Sequence, residues 1–101
     1  MNGQKPVRDL VSDSIANEAK GLGLYEVLDN DGDVLYVGAG PLQNMLSQHL
    51  QGGSFPIPGA RFYRTFSIGG TMEVEERRKS LIEDYVDILG APPKYNRTRI
   101  K

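Results

Sequence analysis

The stretch that decides the fold of this chain runs from Gly23 to Gly38 and reads GLYEVLDNDGDVLYVG. Its two ends, residues 23–28 and 33–38, are rich in Leu, Val and Tyr, the composition of β-strands. Residues 29–32 between them read Asp-Asn-Asp-Gly, and Asn and Gly tolerate the positive φ of a tight turn. The stretch therefore predicts a β-hairpin.

Apolar spacing predicts three further elements after the hairpin. A helical stripe covers residues 41–50, and a loop rich in Gly and Pro follows over residues 51–60. Alternating apolar side chains predict a third strand over residues 61–68. A longer helical pattern runs over residues 71–89, where Gly90 ends it.

The segment before the hairpin carries apolar side chains at helical spacing over residues 7–19. This predicts a short amphipathic helix within an N-terminal extension of residues 1–20. The domain itself is expected over residues 21–97, with a basic tail over residues 98–101. The predicted class is α+β, a three-stranded antiparallel sheet flanked by helices in the order (α)-β-β-α-β-α.

Length and composition narrow the class of protein. A chain of 101 residues predicts one small domain, and the lack of Cys excludes disulfides, thiolate metal sites and cysteine nucleophiles. No apolar stretch approaches the roughly 20 residues of a membrane span, and the start of the chain lacks a signal-peptide pattern. We therefore expect a cytoplasmic protein with no membrane partner.

Charge is distributed unevenly along the chain. Residues 21–60 contain four acidic side chains and no Lys or Arg. After Asp87 there is no acidic residue, and the basic residues there are Lys94, Arg97, Arg99 and Lys101. Clustered bases suit phosphate, so this segment, with Asn96 among its binding residues, predicts weak, salt-sensitive binding of DNA or RNA. The alternative is a solvated tail that keeps the protein soluble.

Three short motifs resemble the GIY-YIG nuclease superfamily. They are the two triplets Gly23-Leu24-Tyr25 and Tyr36-Val37-Gly38 and the closing Pro92-Pro93-Lys94-Tyr95-Asn96. The resemblance covers most of residues 23–97. It implies a GIY-YIG-like domain and an active site near the hairpin.

The resemblance implies roles for four residues. Tyr25 and Tyr36 match the family's active-site tyrosines, one of which helps to deprotonate the attacking water. His49 matches a histidine at the end of the family's first helix, and Asn96 matches its closing asparagine. The alternatives are that both tyrosines pack on the sheet, that His49 caps or packs, and that Asn96 is a turn residue.

The family's catalytic arginine would fall near Met45, whose thioether carries no charge and donates no hydrogen bond. Such an arginine stabilises charge on the scissile phosphate, so its loss predicts a domain without nuclease activity. Arg64, on a strand face that is otherwise apolar, is the one candidate replacement. The alternative is that its stem covers neighbouring Phe side chains.

The family's metal-binding glutamate fits best at Glu83, with Glu76 as second choice. If Leu81-Ile82 is instead matched to a later apolar pair of the family, Arg78 falls at the position of that glutamate. If the domain is active, Mg²⁺ is the expected cofactor.

Two functions follow from these residues. The first is a GIY-YIG-like module that binds nucleic acid or a protein without cutting DNA, with residues 51–60 as an exposed protein contact through Phe55 and Ile57. The second is an active, metal-dependent endonuclease that uses Tyr25, Tyr36, Glu83 and Arg64, the last as a relocated arginine.

Overall fold

The computed structural model describes residues 7–18, 21–50, 52–67 and 71–99, which form a small α+β domain. In chain order its elements are β1 Arg8–Asp9, α1 Ser12–Ala16, β2 Leu22–Leu28, β3 Val34–Pro41, α2 Leu42–Gln48, β4 Phe62–Ser67, α3 Thr71–Leu89 and α4 Lys94–Arg99. No helix within those ranges is long and apolar enough to cross a lipid bilayer.

The sheet has four antiparallel strands in the order β1-β4-β2-β3, so the prediction of three strands is wrong. The additional strand is β1, which pairs with Phe62 and Tyr63 of β4. The amide of Leu10 continues this contact by donating to the carbonyl oxygen of Arg61 at 3.0 Å. The prediction of a helix over residues 7–19 is therefore wrong for its first half. The backbone there hydrogen-bonds to β4 and its flank and does not form intrahelical bonds.

The N-terminal segment docks on the domain, a point that the sequence left open. The hydroxyl of Tyr63 donates to Glu18 at 2.7 Å, and Arg8 forms an ion pair with the same carboxylate at 3.2 Å. The Gln43 side chain of α2 donates to the Glu18 carbonyl oxygen at 2.7 Å. Ile15 completes the contact by lying buried in the core. Residues 1–6, 19 and 20 of the predicted extension lie outside the described residues.

The predicted hairpin is confirmed as β2 and β3. One carboxylate oxygen of Asp29 accepts the amides of Asp31 and Asp33, each at 2.9 Å. Gly32 has a φ of 88°, a left-handed conformation that Gly adopts without steric cost. The resulting register places Tyr25 of the first triplet directly opposite Gly38 of the second.

The predicted helices after the hairpin and the predicted third strand are present as α2, β4 and α3. The predicted end of that strand, Ile68 to Gly70, lies outside the described residues. α4 was not predicted. It begins directly after Pro93, and its buried residue Asn96 hydrogen-bonds to both the amide and the carbonyl oxygen of Val37 on β3.

Helices cover both faces of the sheet. The main core lies between one face, α1 and α2, and it consists of Leu10, Ile15, Tyr25, Val27, Tyr36, Leu42, Leu46, Ile57 and Tyr63. Side chains alternate along a strand, so Glu26 points to the opposite face. There it meets Tyr85 of α3.

The loop between α2 and β4 turns its apolar side chains onto the core, so the predicted exposure of Phe55 and Ile57 is wrong. Ile57 is only 4% exposed, and its amide donates to the His49 carbonyl oxygen at 3.3 Å. The ring of Phe55 lies edge-on to Tyr36, with ring centroids 5.4 Å apart. Composition identified a loop here, but it could not show that the apolar side chains turn inward.

Candidate functional site

A cleft of about 590 Å³ opens beside the edge strand β3, between α2, α3 and α4. Its walls combine apolar and polar side chains from all four elements. The lining residues are Tyr36, Ala39, Met45, Glu75, Arg78, Ile82, Pro92 and Asn96. Tyr36, Asn96 and the Met45 position, which the sequence singled out, are therefore brought together at one place.

Tyr25 lies behind this cleft in a buried hydrogen-bonded pair with His49. Its hydroxyl is 2.6 Å from Nε2 of His49, and Nδ1 of His49 is 2.9 Å from the Phe55 carbonyl oxygen. Because a carbonyl oxygen only accepts, Nδ1 carries a proton, and in the neutral ring Nε2 accepts the Tyr25 hydroxyl. Tyr25 and His49 are both buried, so this pair supports the wall of the cleft from inside the core.

The glycine of the second triplet is required by the tyrosine of the first. A Cβ on Gly38 would lie 2.3 Å from the hydroxyl oxygen of Tyr25, which is closer than real Cβ contacts come. Tyr36 packs beside the same pair, with its ring centroid 6.2 Å from that of Tyr25 and 5.1 Å from that of His49. The triplets thus form one packed unit, with Tyr36 the member that reaches the cleft.

The charged group of the cleft is an ion pair on α3. Arg78 donates from Nη2 to Glu75 at 2.7 Å and from Nε to the same carboxylate at 3.1 and 3.2 Å. The Arg78 side chain is 28% exposed and that of Glu75 is 50% exposed, so both reach solvent. Within the described part of the chain no acceptor bonds Nη1, which leaves one edge of the guanidinium open.

Electrostatics keep this pair ionised. The hydrogen bond to Glu75 raises the pKa of Arg78 above its usual value, burial opposes the rise, and the negative charge of Glu75 adds to it. The same hydrogen bond lowers the pKa of Glu75.

The cleft therefore carries its arginine on α3 and a methionine on α2. Met45 lines the wall where the resemblance expects the arginine, and Arg78 supplies the positive charge from the facing helix. Sequence reasoning named Arg78 only as a residue that, under one match, stands at the position of the family's metal-binding glutamate. It did not name Glu75. A signal was available, because positions 75, 78 and 82 share one face of a helix and Ile82 is apolar.

Two predicted site residues lie elsewhere. Glu83 is exposed on α3 and does not line the cleft. Arg64 points to the sheet face opposite Tyr25, where its Nε donates to the buried carboxylate of Glu26 at 2.5 Å. Glu76, the second choice for a metal ligand, is also exposed.

The predicted basic segment borders the cleft through α4. Lys94 is exposed, and its ammonium lies 5.4 Å from the centre of the Tyr95 ring. The side chains of Arg97 and Arg99, and all of Lys101, lie outside the described part of the chain.

The donor set of the cleft does not fit Mg²⁺. Its one carboxylate is Glu75, and both oxygens of that group accept from Arg78. Among the residues that the structure describes, no three acidic or histidine side chains are grouped so that they could hold a metal ion. A hard cation needs several oxygen ligands, and the guanidinium occupies the only charged one here.

The chain belongs to a protein family described as a domain of unknown function (DUF7508), whose model matches residues 1–86. The matched region includes Glu75 and Arg78 and ends before α4. No curated protein and no solved structure matches the chain significantly.

Proposed function

We propose that this chain is a nucleic-acid-binding domain of GIY-YIG-like type that holds a phosphodiester group in the cleft and does not cleave it. One observation carries the proposal. Arg78 is held by Glu75 at the cleft wall, and no acceptor among the described residues bonds its Nη1, which leaves that edge of the guanidinium available to a ligand.

A phosphate suits that open edge better than other anions of the cell. Guanidinium donors form a planar fork that matches two phosphate oxygens, and such charge-assisted bonds are stronger than neutral ones. Glu75 holds two of the nitrogens, so little side-chain freedom is left for Arg78 to lose on binding.

Three observations argue against cleavage. Met45 provides no charge at the position where the resemblance expects an arginine, and loss of one such donor costs about 10²–10³ in rate. The carboxylate of the cleft does not fit a metal ion. The Tyr25 hydroxyl is buried against His49, which keeps it from an attacking water.

The first prediction tests the role of Arg78 in binding. Arg78→Gln is expected to weaken the binding of labelled single-stranded RNA and DNA at low salt about tenfold or more, because charge-assisted bonds to phosphate are lost. Arg77→Gln is the matched control. It removes the same charge from the next position, which lines a separate cavity of about 130 Å³ with Leu24 and Phe66.

Three results would contradict the proposal. Equal weakening by both substitutions would mean diffuse attraction with no phosphate site. Absence of binding at low salt would favour a protein partner. Cleavage in Mg²⁺ or Mn²⁺ that disappears in Tyr36→Phe would show an endonuclease.

A further inference from the structure

We infer that the ligand of this cleft is single-stranded RNA, recognised by a hydrogen bond from a ribose 2′-hydroxyl to the carboxylate of Glu75. The inference rests on the proposed function and adds the class of nucleic acid. It starts from the carboxylate of Glu75, which positions Arg78 and is itself half exposed beside it.

Glu75 is an obstacle to a ligand that presents only phosphate. Its carboxylate lies 2.7 Å from Nη2 of Arg78, so a phosphate on the open edge of that guanidinium comes close to a second negative charge. The phosphate and the carboxylate repel each other, and this repulsion is stronger beside a protein surface than in bulk water. The arrangement suits a ligand that places a hydrogen-bond donor next to its phosphate.

The carboxylate has capacity for such a donor. Ionised Glu only accepts, and its two oxygens together offer about four lone-pair positions. Arg78 approaches Oε1 from one nitrogen and Oε2 from two, and the Glu75 side chain, which lines the cleft, is 50% exposed. In RNA each ribose carries a 2′-hydroxyl next to its 3′-phosphate, and this hydroxyl can donate a hydrogen bond. DNA has no hydroxyl at that position.

The size and walls of the cleft fit one unstacked nucleotide. A volume of about 590 Å³ is within the range of small-ligand pockets, and a duplex does not enter a pocket of that size. Met45, Ile82 and Pro92 provide apolar surface for a base in the same cleft that contains Arg78 and Glu75. Single-stranded bases stack on aromatic rings with little dependence on sequence, and Tyr36 supplies one ring to the lining of this cleft.

The test compares three probes that share one base, so that base-edge contacts to Glu75 cannot produce the result. These probes are oligouridylate, the 2′-deoxy form and the 2′-O-methyl form, each of the same length and label. The intact chain is expected to bind oligouridylate about tenfold more tightly than either other probe. The 2′-O-methyl form keeps the oxygen but has no donor, so it separates hydrogen bonding from sugar pucker.

Glu75→Ala is expected to reduce this ratio to about one, whatever it does to overall affinity through the position of Arg78. Glu76→Ala, at an exposed neighbouring position on α3, should leave the ratio unchanged. Equal binding of the three probes, weakened in each case by Arg78→Gln, would overturn the ribose inference and leave the phosphate site in place. Binding that does not depend on Arg78 would overturn the proposed function itself.

Discussion

At the scale of single residues, the Asn96 side chain gives β3 two hydrogen bonds of the kind that a neighbouring strand would make. β3 is an edge strand, and edge strands present unpaired amides and carbonyls. The Asn96 side chain accepts from the Val37 amide at 2.8 Å and donates to the Val37 carbonyl oxygen at 3.0 Å. One carboxamide thereby closes part of the edge and attaches α4 to the sheet.

We therefore predict that Asn96→Ala lowers the free energy of unfolding by about 2–4 kcal/mol, because both buried groups of Val37 lose their partner. Urea unfolding followed by circular dichroism measures the change. Asn44→Ala, at an exposed position of α2, is the control and should stay within about 0.5 kcal/mol of the parent chain. Equal stability of the two variants would show that Asn96 is dispensable to the fold.

At the scale of elements, α3 is attached to the sheet through a buried carboxylate. Glu26 of β2 accepts from Arg64 of β4 and from the Tyr85 hydroxyl of α3, each at 2.5 Å. Burial and then the bond to Glu26 raise the pKa of Tyr85, and burial and the bond to Glu18 raise that of Tyr63. Both phenols are thus protonated in the folded chain at a pH where they would ionise in the unfolded one.

The ionisation of these two tyrosines should appear in the way the free energy of unfolding changes with pH above 10. A folded-state pKa above the unfolded value of about 10 gives stability that is present below pH 10 and lost as pH rises further. Each such tyrosine contributes a decline of about 1.4 kcal/mol per pH unit. We predict that Tyr85→Phe costs about 1–2 kcal/mol at neutral pH and makes the decline above pH 10 shallower.

Urea unfolding of the parent chain and of Tyr85→Phe between pH 7 and 11 measures both effects. Other groups titrate in this range, so the difference between the two curves is the quantity to use. Curves that stay parallel above pH 10 would show that Tyr85 ionises equally in both states, against the hydrogen bond to Glu26.

The elements that the sequence predicted correctly are those with a local signal. The hairpin follows from its turn residues, and α3 from apolar spacing that extends over 19 residues. β1 and α4 have no such signal. A strand of two residues exists because β4 pairs with it, and a helix of six residues is held by the contact of Asn96 with Val37.

The residues of the candidate site were likewise predictable only where a local motif marks them. Motif spacing identified Tyr36 and Asn96, which both line the cleft. It could not identify Glu75 and Arg78 as a pair, because their importance depends on which side of α3 faces β3. Strand alternation likewise left Arg64 open as a candidate replacement, since a sequence does not show that Glu26 lies beside it on the neighbouring strand.

At the scale of the whole molecule, a net charge of -1 gives no general attraction to nucleic acid. Attraction has to come from the cleft and from the bases Lys94, Arg97, Arg99 and Lys101, which no acidic residue accompanies. The exposed turn of the hairpin carries Asp31 and Asp33 and disfavours contact with phosphate. Binding should therefore involve few phosphates and depend strongly on salt.

The salt dependence should separate the two sources of attraction. With about three or four phosphates neutralised on a single strand, a plot of log affinity against log salt should have a slope of about -2 to -3. Combining Arg97→Ala, Arg99→Ala and Lys101→Ala should flatten the slope by about 2, because three of the cations are lost. Arg78→Gln should change it by only about 0.7, despite a larger loss of affinity per charge, because that side chain contacts one phosphate directly.

Titration of labelled oligouridylate at several salt concentrations measures all three slopes. A triple variant with an unchanged slope would place the electrostatic surface away from the C-terminal segment, and one that binds as tightly as the parent chain would leave the cleft as the whole binding site.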